Sequence, residues 1–243
     1  MVPGIFDPET EAELKKIFKD LGRKFNDILV VNYADIATEH HHHVHVAHED
    51  HCHTCPEAKE LADELTRITE GLLEFKVIDK SEATTLRPRY LPAFYYDTPS
   101  RNVRYYGLPS GQEFAPFIFI HEYIAKGVKL SKEVVEEVES IDVPLHIKIF
   151  VTPECPYCPI VVDALNQMGL VNSNLLVETI EAFEHPIEAD AYGVQYVPFV
   201  AITRVEDYDK YGARLVDKIP GYMPPEEMAS IILRAARRVK SAK

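Results

Sequence analysis

Two Cys-x-x-Cys pairs account for all four cysteines of this 243-residue chain: CHTC at 52–55 and CPYC at 155–158. Two thiols at this spacing can form a disulfide, exchange it with another disulfide, or hold half of a metal site. When such a pair lies between a strand and a helix, the first cysteine sits at the helix N-terminus. Unsatisfied N–H groups and the positive end of the helix dipole favour a thiolate there. The thiolate is the attacking species in disulfide exchange, and a second thiol one turn away can resolve the mixed disulfide. This logic assigns Cys155 as attacking thiol and Cys158 as resolving thiol, with Cys52 and Cys55 in the same roles.

Other readings of CPYC are weaker. Closing a two-residue loop stabilises a fold by only about 2 kcal/mol, so a purely structural cross-link gains little. The zinc-ribbon spacing of roughly 15–20 residues between pairs is not met, because the two pairs lie about a hundred residues apart. Within CPYC, the pattern puts Pro156 in the first helical turn, where its missing N–H costs nothing. Tyr157 is placed to cover the thiols or to touch a substrate. Downstream, YVPF sets Pro198 at the start of a strand, where a cis peptide facing the cysteines would leave backbone groups free to pair with an extended peptide.

CHTC has a different approach. Eight of the eleven histidines fall within residues 40–55, in HHHHVHVAHEDHCHTC. Imidazole and thiolate are the preferred zinc ligands, and four of them close a tetrahedral site. Cys52 and Cys55 with two histidines, for instance His48 and His51, would suffice for zinc. The alternative is a loop that binds metal only adventitiously. If metal is held, both sulfurs are occupied and the pair cannot cycle. His53, between the cysteines, would as a cation favour the Cys52 thiolate and make that disulfide more oxidising. His121, His146 and His185 are isolated and read as surface or packing residues.

The elements that must position these groups appear twice in one order. In the first half, Asp7-Pro8 caps a helix that Gly22 ends, and DILVVNY (27–33) is a strand. CHTC then opens a helix with apolar residues at Ala58, Leu61, Ala62, Leu65 and Ile68. A strand LLEFKVID, a strand pair in RYLPAFYY and RNVRYYG, and a helix over 111–126 follow. In the second half, Ser131 opens a helix, LHIKIFV (145–151) is a strand, and CPYC leads a helix ending at Gly169. NLLVETI, QYVPFVAI and ARLVDKIPG are strands, and PPEEMASIILRAARRVK is an amphipathic helix. Cys52 precedes Pro92 by 40 residues and Cys155 precedes Pro198 by 43. GLPSGQEFAPFI (107–118) also overlays GYMPPEEMASII (221–232) without a gap. A duplication of roughly 110 residues implies two similar domains, 1–127 and 128–243. The copies differ in one respect: about 15 extra residues, rich in histidine, stand directly before Cys52.

Composition sets the outer bounds. At 46% hydrophobic and 27% charged residues, the chain suits a globular protein with a substantial core. A net charge of −13 argues against a nucleic-acid partner, which would call for a basic face. No apolar run approaches the roughly 18 residues of a membrane span, and the N-terminus lacks the pattern of a secretory signal. A cytoplasmic protein with no membrane partner is the expectation. Six asparagines and three glutamines among many charges lean toward a thermophile, where disulfide chemistry inside cells is more expected.

CPYC, GVQYVPFV and Gly221 after the next strand resemble the active-site set of glutaredoxins and thioredoxins. With a CxxC in each half, the whole chain resembles the glutaredoxin-like protein disulfide oxidoreductases of hyperthermophiles, related in function to protein disulfide isomerase. The resemblance implies an α/β fold of two tandem thioredoxin-like domains, each a mixed central sheet flanked by helices. It further implies reduction, oxidation or isomerisation of disulfides in protein substrates, with no cofactor for the redox step. Recycling would fall to a flavoenzyme like thioredoxin reductase. By position, Val197-Pro198 corresponds to the substrate-facing cis bond and Leu91-Pro92 to its counterpart.

Overall fold

A computed structural model describes residues 4–37 and 51–242. The chain divides into two compact units: residues 1–97 with 106–108, and 98–105 with 109–243.

The first unit begins with α1 (Pro8–Leu21). Asp7 Oδ1 accepts from the N–H groups of Glu9 and Thr10 at 2.9 and 3.0 Å, and Gly22 closes the helix in the left-handed conformation, as the sequence anticipates. Next come β1 (Phe25–Val31) and α2 (Tyr33–Ile36). Tyr33 therefore opens a helical turn and does not extend the strand, a correction to the expected 27–33 boundary. Two hydrogen bonds account for it, one of them from a distant residue: Asn32 O accepts from Asp35 N, and Asp79 Oδ2 accepts from Tyr33 N, which turns the chain away from the ladder. The helix α3 (Cys55–Ile68) buries Ala58, Leu61, Ala62, Leu65 and Ile68 on one face, the anticipated stripe. It packs on β1 and on β2 (Leu73–Asp79), which runs parallel to β1, while β3 (Ala93–Tyr95) lies antiparallel on the other side.

In the second unit, β4 (Val103–Tyr106) precedes a 3₁₀ turn (Gly111–Glu113), α4 (Phe114–Lys126) and α5 (Lys132–Glu139). The core follows with β5 (Leu145–Val151), α6 (Cys158–Val171), β6 (Leu175–Glu181), α7 (Pro186–Ala191), β7 (Phe199–Arg204), β8 (Asp217–Pro220) and α8 (Pro225–Ser241). The sheet order is β4-β6-β5-β7-β8, with β5 parallel to β6 and antiparallel to β7. Helices α4, α5 and α8 pack against α6, and α4 is thus part of the second unit.

Every residue of β5 is buried, including two with polar ends. Alternation along the strand puts His146, Lys148 and Phe150 on one face. There His146 Nε2 meets Glu178 Oε2 at 2.6 Å, Lys148 is paired with Glu188 of α7, and Phe150 packs edge-on against Tyr192. Removing one partner of such a buried pair costs about 3–5 kcal/mol. His146 and His121 are buried and His185 is half-buried, packed residues as the sequence suggests.

Gly169 does not stop its helix. α6 continues to Val171, and a β-carbon at 169 would lie 2.8 Å from Val103 Cγ2 and 2.9 Å from Val177 Cγ2. Its carbonyl accepts from Asn102 Nδ2 at 2.8 Å. The glycine lets helix and sheet approach. Gly169→Ala is expected to overpack this contact and cost about 1–3 kcal/mol, read as a fall in midpoint on chemical denaturation.

Candidate functional site

The strand-turn-helix of the second unit fixes the CPYC sulfurs. After β5 ends at Val151, Cys155 N donates to Thr152 O at 3.2 Å and tightens the turn. The helix starts at Cys158, with Pro159 in its first turn. Pro156 therefore lies ahead of the helix, where the sequence reading put it inside. The consequence for the chemistry is direct: the first helical N–H, that of Cys158, points at Cys155 Sγ at 3.1 Å. The pair forms a disulfide with Cα atoms 5.5 Å apart. Cys155 retains 7% exposure and Cys158 none, so only the first cysteine of the pair has any solvent access.

The proline turn stands at the same edge of the sheet. Phe150 is in register with Phe199, so Pro198 is level with the end of β5. Val197-Pro198 is a cis peptide, and Pro198 O accepts from Gly221 N at 2.9 Å. Tyr222, next in the chain, meets Tyr157 of CPYC with ring centroids 6.1 Å apart. Tyr157 and Tyr222, with Tyr196 two residues before Pro198, are among the most exposed large side chains of the protein.

Sequence reasoning missed Glu113. It lies in the 3₁₀ turn, fully buried, with neither carboxyl oxygen hydrogen-bonded. Burial pushes its pKa up to about 8. The turn packs against α6, and Gln112 N donates to Pro153 O at 2.8 Å, two residues before Cys155. Gly111 permits this approach, since a β-carbon there would lie 2.4 Å from Pro153 O. The only sequence signal was the apolar company of Phe114, Pro116 and Phe117, which foretells a dry setting for the acid.

The first unit repeats the plan with different electrostatics. Cys52 and Cys55 form a disulfide, Cα atoms 5.5 Å apart, and α3 starts at Cys55. Leu91-Pro92 is also cis, with Pro92 O accepting from Gly107 N at 3.0 Å. Here, however, Cys55 N donates to Cys52 O, and Cys55 Sγ accepts from Asn32 N at 3.5 Å. Asp35, on α2, takes Cys52 N at 2.8 Å, Asn32 Nδ2 at 2.7 Å and His51 Nδ1 at 2.5 Å. His51 also packs edge-on against His53, 4.2 Å between centroids. His48 and the histidines at 40–45 lie outside the described residues. Among the described residues no three His, Cys, Asp or Glu side chains are grouped to hold a metal, and no helix is long and apolar enough to cross a membrane.

Residues 145–213 match the family model described as a thioredoxin domain. Over 127 residues, 51% of this chain, the sequence is 28% identical to the F subunit of alkyl hydroperoxide reductase from Staphylococcus aureus. The match covers 24% of that protein, so the chain spans about a quarter of the curated relatives it matches. Among solved structures, a protein disulfide oxidoreductase from Aeropyrum pernix superposes with a TM-score of 0.76 at 22% identity, covering 96% of both chains. The N-terminal domain of alkylhydroperoxide reductase AhpF from Enterococcus faecalis gives 0.72 at 17% identity, covering 93% of this chain and 98% of that one. The fold is thus of the tandem thioredoxin type, a likeness of fold that extends over nearly the whole chain.

Glu113 makes stability depend on pH. An unfolded carboxyl titrates near 4.5 and the folded one near 8, so the folded state binds the proton more tightly. Its stabilising effect is complete below pH 4.5 and lost as pH rises to 8. Glu113→Gln should match wild type in melting temperature near pH 4.5 and exceed it above pH 8, in a melting series across pH.

Proposed function

We propose that the chain is a thiol–disulfide oxidoreductase whose principal catalytic pair is Cys155–Cys158. The observation that carries this reading is the Cys158 N–H aimed at the more exposed sulfur, Cys155 Sγ. A donor in that position stabilises the thiolate that forms on reduction.

In the reducing direction, the Cys155 thiolate attacks one sulfur of a substrate disulfide. A new S–S bond forms, and the other substrate sulfur leaves as a thiolate and takes a proton. Cys158 then gives up its proton and attacks Cys155 Sγ, releasing the second substrate thiol and leaving the enzyme disulfide. The substrate gains two electrons and two protons. The Cys158 proton goes to the departing substrate thiolate. Oxidation of a dithiol runs the same steps in reverse.

Protein disulfides are the proposed substrates. The backbone beside Val197-Pro198 lines an accessible edge, and Tyr157, Tyr196 and Tyr222 supply apolar contact that tolerates varied sequences. Leu91-Pro92 is the matching element of the first unit. Electrons must come from a separate reductase, for which the family resemblance suggests a flavoenzyme of the thioredoxin-reductase kind. The curated relatives, named as part of an alkyl hydroperoxide reductase, are consistent with a reductase partner. The sequence duplication, with repeats 1–127 and 128–243, supports reading the chain as two copies of one exchange module. The cytoplasm and a thermophilic source remain our reading of composition.

A second reading concerns zinc at the first site. Cys52, Cys55 and His51 are suitable donors once the disulfide is reduced, and the Asp35–His51 contact resembles the carboxylate support that a ligating histidine often has. Bound metal would hold both sulfurs as thiolates and silence that pair. Zinc content of the reduced chain before and after Cys52→Ser measures this directly.

Disulfide-reductase turnover on a generic protein substrate separates the two pairs. Cys155→Ser should lose activity by at least about 100-fold, while Cys52→Ser retains most of it. Wild-type turnover in both variants would refute the oxidoreductase reading.

A further inference from the structure

At the far end of the second unit lies a basic concavity that the redox chemistry does not use. It has a volume of about 270 Å³ and is lined by Arg204, Arg214 and Arg238, with Asp207 and Val216. Arg204 closes β7, Asp207 sits in the 3₁₀ turn after it, Arg214 and Val216 lead into β8, and Arg238 is in the last turns of α8. Three separate elements thus converge on one hollow. Their backbones are held: Val216 N donates to Ile202 O at 2.8 Å, and Arg238 Nη1 donates to Val216 O at 3.0 Å.

The charge balance there runs against the rest of the molecule. Arg238 is neutralised by Asp217 at 2.9 Å, a carboxylate it shares with Arg234 at 2.8 Å. Asp207 is paired with Lys210 at 2.6 Å. Arg204 feels the charge of Asp207 but makes no ion pair or hydrogen bond by side chain, and Arg214 makes none either, among the described residues. Two guanidinium groups thus stand without an ion-pair partner among the described residues, in one hollow of a chain whose net charge is −13. Other arginines here, such as Arg23, Arg67 and Arg104, are matched to carboxylates.

From these residues we infer that the hollow is a binding site for a diphosphate group, free or carried by a nucleotide. Planar guanidinium forks match phosphate oxygens two at a time, and two unpaired cations call for a ligand with at least two negative charges. A monocarboxylate would leave one cation unmatched. The volume lies just below that of sites that enclose a whole drug-sized ligand, so a diphosphate fills it and any attached group projects into solvent. Long polyanions are disfavoured by the net charge of −13 on the chain as a whole. Arg204 is in register with Leu145, the first residue of β5, whereas Cys155 follows its last. Six residue steps at about 3.3 Å each separate the two ends by roughly 20 Å, so ligand here leaves the cysteines clear.

The test is calorimetric titration of the full chain with inorganic pyrophosphate, ADP, orthophosphate and acetate, at low and at about 150 mM ionic strength. Pyrophosphate should bind saturably at one site at both ionic strengths, and acetate should not bind. Arg204→Ala and Arg214→Ala should each weaken pyrophosphate by about tenfold. Arg237→Ala, which removes an exposed charge outside the hollow, should leave binding unchanged. ADP binding as well as pyrophosphate identifies the nucleotide form, and pyrophosphate alone identifies the free anion. Binding that vanishes at 150 mM salt, or an Arg237→Ala loss equal to the others, would overturn the site. Disulfide exchange at wild-type rate in the Arg204 and Arg214 variants confirms that they are folded.

Discussion

One hydrogen bond organises the second unit: the Cys158 N–H donated to Cys155 Sγ. It exists because β5 delivers the chain to a short turn and α6 starts only at the second cysteine. The start of a helix has N–H groups with no partner inside the helix, and here one of them finds sulfur. The fully buried strand, the helices packed on α6 and the turn at Gly111 all serve to hold that geometry. Gln112 N on Pro153 O fixes the turn before the cysteines, while Gly169 lets α6 settle onto the sheet.

The first unit shows how the same frame carries a different environment. There the helical N–H of Cys55 goes to Cys52 O, and among the described residues no N–H reaches the Cys52 sulfur. A carboxylate, Asp35, holds Cys52 N and His51 together. That carboxylate is on α2, at the start of the segment that distinguishes the first CxxC from the second. The two pairs thus share spacing and topology but differ in what faces the first sulfur: the N–H of Cys158 reaches Cys155 Sγ, whereas the N–H of Cys55 goes to Cys52 O.

Much of this was legible in the sequence, for reasons that can be named. Cys-x-x-Cys after an apolar run fixes a strand-turn-helix, and the apolar stripe of α3 falls where its spacing puts it. Asp7 and Gly22 cap α1 because their side-chain and backbone chemistry is local. What failed to show was non-local. Gly169 resembles a stop because glycine favours helix ends, yet its role is set by Val177 on the next strand and by Val103, distant in sequence. Tyr33 was read into a strand that Asn32 and Asp79 turn aside. The burial of Glu113 and the contact of Asp35 with Cys52 are likewise set by packing between segments distant in sequence. The Pro156 position slipped by one turn, because the cysteine spacing does not say which of the two residues opens the helix.

The most direct measurement is competitive alkylation of the fully reduced chain with limiting iodoacetamide at neutral pH, followed by peptide mapping. The contact at Cys155 Sγ predicts that Cys155 is labelled first, about tenfold ahead of Cys52, with Cys55 and Cys158 last. Equal labelling of Cys52 and Cys155, or Cys52 ahead, would contradict the claim that the helix N–H selects the attacking sulfur.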